Sequence, residues 1–208
     1  MQRCKRLLRK LGLLTCALLL FAAPSPPAHA QTAAPAENLV NALIGLDAAQ
    51  DLDVAALRQQ ALDRIKAKAD AVPLKRLPIA PQLLKLPQFS IEVQFDADSP
   101  IIRPDSYRTL GRIADTLQNP ALLAYGFLIV GHTESTGRRD NNLTLSQRRA
   151  DSIRDVLVTT FKVSSKRLQA VGLGEEQLRD AARPAAPANQ RIQVITIKTM
   201  PCRKGFLF

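Results

Sequence analysis

Arg149 is the side chain whose chemistry most needs a partner. It lies in a stretch, 142–160, whose apolar residues recur at helical spacing. Stepping about 100° per residue places Leu145, Ile153 and Val156 within about 40° of Arg149 and Asn142 within about 20° of it. The apolar stripe of this helix is therefore expected to be centred on a guanidinium, which is costly to bury unless an anion meets it. Asn142 lies two turns away on the same face, near the polar turn Gly131–Asp140 that carries Glu134. A carboxylate, an amide and a guanidinium thus converge on one strand-to-helix corner, the kind of place where α/β sheets bind ligands. Two chemistries fit. Arg149 pairs internally with Glu134 or Asp96, or the corner is a pocket for a zwitterion, the arginine fork taking a carboxylate and the acid an ammonium.

Catalysis has less to build on. The chain shows no Ser/His/Asp set and no phosphate-binding loop. His132 and Glu134 are a base and an acid two residues apart across a turn, a spacing that does not by itself place them in hydrogen-bond reach. No enzyme, no cofactor and no metal site is expected.

The elements that must position the corner can be read along the chain. Phe89 to Phe95 alternates apolar and polar, a strand with one buried face. Residues 104–117 open with Pro104 and place Leu110, Ile113 and Leu117 at helical spacing. Tyr125 to Val130 is a continuous apolar run, as a central strand covered on both faces requires. The helix at 142–160 follows, then strands at 167–173 and 190–198, with a loop at 176–188 between them. Strands alternating with helices predict an α/β fold, a two-layer sandwich of βαβαβ type with helices packed on a mixed sheet.

Upstream of the expected domain at 88–199 lie a signal-like leader and a mobile segment. Residues 1–30 carry Arg3, Lys5, Arg6, Arg9 and Lys10, then a short apolar run, then Ala28-His29-Ala30, the three regions of a cleaved secretory signal. The apolar run is shorter than the about 17–25 residues of a membrane span. Cys16, preceded by Thr15, departs from a lipidation site. Residues 31–87 are expected to be a mobile segment with an amphipathic helix at about 51–70, capped by Asp51 or Asp53, and a proline-rich linker. The apolar face of that helix needs cover, either from its own domain or from another chain. Residues 200–208 are read as a tail.

Cleavage after Ala30 changes the charge and thiol arithmetic. The whole chain has 29 Lys+Arg against 18 Asp+Glu, a formal +11. Removing the five cations of the leader leaves 24 against 18, a dispersed +6. With aromatic content at 4% and no Trp, neither a basic stripe nor a stacking platform for nucleic acid is present. One thiol, Cys202, and one histidine, His132, then remain, too few for an intramolecular disulfide or a His/Cys zinc site.

These residues match a known pattern. Residues 91–198 resemble the OmpA-like C-terminal domain, shared by outer-membrane protein A, the peptidoglycan-associated lipoprotein and the flagellar stator protein. The resemblance rests on Phe95-Asp96, on Gly131-His132-Thr133-Glu134 with Gly137, and on Asn142, Leu145-Ser146, Arg149-Ala150, Ile153 and Leu157 at the family's spacing. Arg167-Leu168, Gly172-Leu173-Gly174-Glu175, Asn189 and Arg191 complete it. It implies a periplasmic protein associated with the cell wall or outer membrane, which holds peptidoglycan noncovalently through the diaminopimelate of the stem peptide. By the same resemblance Glu134 takes the ligand amine and Arg149 its carboxylate, while Asp98, Thr136 and Asn142 flank them. Two positions depart from the pattern. Glu134 stands where the family has Asp, and Gln190 where it often has an Arg that grips the ligand. The resemblance therefore also admits an envelope interaction module with wall binding reduced or lost, whose protein partner or second copy would dock through residues 51–70.

Overall fold

The computed structural model describes residues 36–45, 52–67 and 77–199. The expected leader at 1–30, the tail at 200–208 and Cys202 lie outside the described residues, as does Asp51.

Four strands form one mixed sheet: β1 (Gln88–Ile91), β2 (Tyr125–His132), β3 (Leu168–Gly174) and β4 (Arg191–Thr199). Their spatial order is β1-β4-β2-β3, with β4 antiparallel to both neighbours and β2 parallel to β3. Helices α1 (Ala36–Leu43), α2 (Val54–Lys66), α3 (Tyr107–Leu117) and α4 (Arg139–Thr159) cover it. The apolar run of β2 serves two cores, because successive side chains point to opposite faces. Phe127 and Ile129 pack with Leu110, Ile113, Leu117, Ile153 and Leu157 of α3 and α4. Leu128 and Val130 pack on the other face with Leu57 and Ala61 of α2 and with Ile79, Leu83 and Leu86.

The upstream segment thus adds cover to the second face of the sheet. Asp53 caps α2, its carboxylate accepting from the Ala56 N–H at 3.0 Å, a contact worth about 1 kcal/mol. Leu57 and Ala61 are buried against the sheet of the same chain, and burying a leucine contributes about 1.5–3 kcal/mol. The apolar face of the helix is occupied by its own domain. The helix is shorter than the periodicity suggested, Val54–Lys66 rather than about 51–70.

Two local expectations are corrected. The first strand ends at Ile91, not Phe95. Beyond it the chain pairs with its own return, Phe95 bridging Ile102 while Arg103 N–H donates to Gln94 O and Asp96 N–H to Ile101 O, each at 2.9 Å. Val93 and Phe95 stay buried, so the alternation persists although the partner has changed. The second correction concerns α4. Its buried residues are Asn142, Leu143, Ser146, Gln147, Arg149, Ala150, Ile153 and Leu157. On the same wheel they centre about 80° from Arg149, so the guanidinium lies at the edge of the buried face rather than at its centre.

Small residues cause that rotation. A Cβ at Gly172 would stand 2.1 Å from Gln147 N, and one at Gly131 would stand 2.3 Å from Ser146 O, so only glycines admit the helix this close. The contact is also hydrogen-bonded. Gly172 N–H donates to Gln147 Oε1 and Gly174 N–H to Ser146 Oγ, both at 2.8 Å. Polar Ser146 and Gln147 therefore face the sheet, a placement that hydrophobic periodicity does not reveal.

Candidate functional site

Rotating α4 this way aims Arg149 along the top of the sheet into a cleft of about 380 Å3. The cleft is walled by the 95–103 loop, the turn after β2, the first turns of α4 and Gln190 before β4. Asp98, Glu134, Thr136, Asn142, Arg149 and Gln190 all line it, so the structure brings all six candidate residues together.

Arg149 is 5% exposed and makes no ion pair among the described residues. Its Nε donates to Ser99 O at 3.0 Å and its Nη1 to Gln190 Oε1 at 3.1 Å. The guanidinium lies over the Phe95 ring, 4.8 Å from the centroid, a favourable cation–π distance. Nη2 makes no hydrogen bond among the described residues and is not among the buried unpartnered atoms, so it is open to the cleft. Burial lowers the pKa of the group from its ordinary value, and the negative charges of Asp98 and then Glu134 act in the opposite sense. The two acids are thus near enough to be felt by Arg149 without touching it. The internal pair with Glu134 or Asp96 that the sequence allowed does not form.

Asp98 sits at φ 49°, in the left-handed region, in a loop held by Ser99 N–H to Asp96 O at 3.2 Å. This turn presents Ser99 O to Arg149 and leaves the Asp98 carboxylate exposed. Glu134 is half-buried, and among the described residues its side chain accepts only a weak hydrogen bond, Thr136 Oγ1 donating at 3.5 Å. Its carboxylate is therefore available to a ligand.

Asn142 does a different job from the one its place on the wheel suggested. Its Nδ2 lies 2.7 Å from Glu175 Oε2, 2.9 Å from Thr136 O and 3.3 Å from Glu134 O. The amide ties α4 to the turn that carries Glu134. Glu175 is buried, and its Oε1 also accepts from Ser135 Oγ at 2.8 Å. Sequence reasoning quoted Glu175 within a signature but gave it no role; a carboxylate eight residues beyond Arg167 carries no periodic signal. Phe95, Arg103, Thr133 and Leu145 are further lining residues that were not foreseen, nor was the Ser99 carbonyl that holds Arg149.

His132 and Glu134 do not form an acid–base pair. Burial above all, then the charge of Arg191, push the His132 pKa down to about 3, while its hydrogen bond to Gln193 acts weakly the other way. Its Nε2 lies 2.6 Å from Gln193 Oε1 and its Nδ1 is buried without a partner. Glu134 lines the Arg149 cleft and His132 does not. No group of three or more metal-ligating side chains occurs among the described residues. Chemically, the cleft offers one anion-receiving donor set facing several carboxylates, with a bare guanidinium nitrogen between them.

This fold and cleft place the domain in a known class. Residues 94–192 match the model of the OmpA family, and this part of the chain is an OmpA-like domain. Over 98 residues the chain is 35% identical to outer membrane porin F of Pseudomonas aeruginosa, covering 47% of this chain and 27% of that protein. Over 83 residues it is 40% identical to the peptidoglycan-associated lipoprotein of Mesorhizobium japonicum, covering 40% of this chain and 48% of that one. It is also similar to the crystal structure of the peptidoglycan-associated lipoprotein from Burkholderia pseudomallei, with 28% identity, coverage of 51% and 88%, and a TM-score of 0.42. The chain spans about a quarter to a half of the length of the curated relatives it matches. Among the described residues no helix is long and apolar enough to cross a membrane.

Proposed function

We propose that this chain is a non-enzymatic envelope protein that binds peptidoglycan noncovalently, the Arg149 cleft receiving the diaminopimelate of the stem peptide. The observation that carries the reading is the buried Arg149 guanidinium, without an ion pair among the described residues, with Asp98 and Glu134 close by in one cleft. Diaminopimelate presents an ammonium and a carboxylate on one carbon. Arg149 would take the carboxylate through Nη2, and Glu134 with Asp98 the ammonium. Gln190 and Phe95 hold the guanidinium, and Asn142 holds the turn. A relative 40% identical to the domain is named peptidoglycan-associated lipoprotein, which favours the same ligand. In this reading residues 1–30 are a secretory signal that is removed, residues 31–87 lead into the domain at 88–199, and the protein works in the periplasm against the wall or outer membrane.

The competing reading, an interaction module with wall binding reduced or lost, draws on the neutral Gln190 beside Arg149. Sedimentation with purified sacculi separates the two. The protein is expected to pellet with sacculi, and Arg149→Gln to remain in the supernatant. Wild-type protein that stays wholly in the supernatant at low salt refutes wall binding. Equal pelleting of Arg149→Gln refutes the cleft assignment.

A further inference from the structure

The structure carries a second cleft, of about 640 Å3, bounded by the Pro78–Leu84 segment, the edge strand β1 and the loop at 177–179. Its chemistry differs from that of the Arg149 cleft. The described lining residues include two guanidiniums, Arg179 and Arg191, three amides, Gln88, Gln177 and Gln193, and no carboxylate.

Arg191 is buried, yet neither it nor Arg179 makes an ion pair among the described residues. Its Nη1 donates to Asn189 O at 3.2 Å and its Nη2 to Gln177 O at 3.0 Å. Its Nε makes no hydrogen bond among the described residues and is absent from the buried unpartnered atoms, so it remains open to the cleft. Burial, and then the like charge of Arg179, push the Arg191 pKa down to about 10. Two cations held together without an acid leave a positive hollow that an anion would relieve. Gln177 fixes Arg191, its backbone O accepting from Arg191 Nη2, while its own Oε1 is buried away from the cleft. Apart from Ser90 the remaining walls are apolar, and Leu84 among them is 51% exposed.

We propose that this second cleft binds the free carboxyl end of a peptide. The carboxylate sits between Arg191 and Arg179, and the apolar side chain of the same terminal residue lies on Leu84 and Leu178. A peptide terminus carries the anion and an apolar side chain on one carbon atom, which matches two guanidiniums beside an exposed leucine. Inorganic phosphate would satisfy the cations and leave the apolar wall unused. The site is separate from the Arg149 cleft and shares no lining residue with it.

The test is an NMR titration of the isotope-labelled purified protein with three probes: N-acetyl-leucine, N-acetyl-leucine amide and inorganic phosphate. N-acetyl-leucine is expected to shift the signals of Leu178 and the Arg191 side chain. Its amide, lacking the carboxylate, should bind about tenfold more weakly or worse, as the loss of a charge-assisted hydrogen bond implies. Arg191 is buried and its replacement risks the fold, so the variant is Arg179→Gln at the exposed rim, expected to weaken N-acetyl-leucine about tenfold. Arg149→Gln should leave it unchanged. The proposal is overturned if the amide binds equally well, or if no shift occurs at tens of millimolar. It is also overturned if phosphate binds as tightly as N-acetyl-leucine, or if Arg149→Gln rather than Arg179→Gln removes binding, since the probe would then occupy the first cleft.

Discussion

Arg149 stacks over Phe95 at 4.8 Å and makes no ion pair with a carboxylate among the described residues. The ring and the Ser99 and Gln190 oxygens hold the guanidinium in place while one nitrogen stays free. An aromatic face costs the cation less than a dry aliphatic wall and, unlike a carboxylate, does not compete with a ligand.

Replacing Phe95 by Leu keeps an apolar residue and removes the ring. Sacculus affinity is expected to fall about thirtyfold, in line with about 2 kcal/mol for a desolvated cation–π contact. Cosedimentation isotherms check it. Unchanged affinity would mean that the ring only fills space.

Gln190→Arg restores a second cation beside Arg149. Wall binding should tighten about tenfold or more if the neutral amide limits affinity. The same change places two guanidiniums side by side, so thermal stability without ligand should drop slightly. Unchanged binding with lowered stability would show that Gln190 serves only to hold Arg149.

Asn142→Asp preserves shape and places a carboxylate where Nδ2 now meets Glu175 Oε2 at 2.7 Å. Two acids at that distance share a proton or repel. The variant should lose about 3–5 kcal/mol at neutral pH, the usual cost of leaving a buried charge unpaired. Part of the loss should return as the pH falls and one acid protonates. Urea unfolding at pH 7 and pH 4.5 measures both effects.

His132 gives the protein an acid-sensitive core. In the folded state its pKa is about 3, against 6.5 for a free side chain. Below pH 6.5 the unfolded chain therefore binds a proton that the folded chain refuses, and stability falls as pH is lowered. The loss from this residue should be about 2 kcal/mol between pH 7.5 and 5, at about 1.4 kcal/mol per pH unit for one proton. His132→Gln keeps a donor for Gln193 and cannot titrate, so its stability should be flatter across that interval. A parallel pH dependence in the variant would assign the effect elsewhere.

Gly172→Ala tests the helix–sheet approach that aims Arg149. The added methyl would meet Gln147 N at 2.1 Å, backbone that cannot swing aside. Overpacking of this kind costs about 1–3 kcal/mol and often more. A folded but less stable protein with weakened sacculus binding is expected. Wild-type stability would show that α4 can withdraw from β3 freely.

Much of this was legible without coordinates. Apolar alternation and helical spacing located the four strands, α3 and α4, because burial imposes those periods on any sheet and helix of this kind. A lone cation near an apolar stripe marked Arg149, and the turn residues supplied its acids. What periodicity could not give was rotation and closure. Ser146 and Gln147 carry no apolar signal, yet they face β3, because two glycines let the helix close in and the strand's N–H groups need acceptors. Phe95 read as the end of a strand, yet it folds back onto Ile102 and beneath Arg149.

The sequence by itself determined the residue types of the corner and the order in which the chain delivers them, since both follow from local pattern. Only the tertiary structure decided that Arg149 makes no ion pair among the described residues, that Asn142 serves Glu175 and the turn, and that Arg191 and Arg179 face a second cleft without an acid. Those outcomes depend on which long-range neighbours fill each side chain's hydrogen bonds. Spacing along a chain does not record that competition; packing settles it, because every buried polar group must find a partner or remain exposed to a ligand.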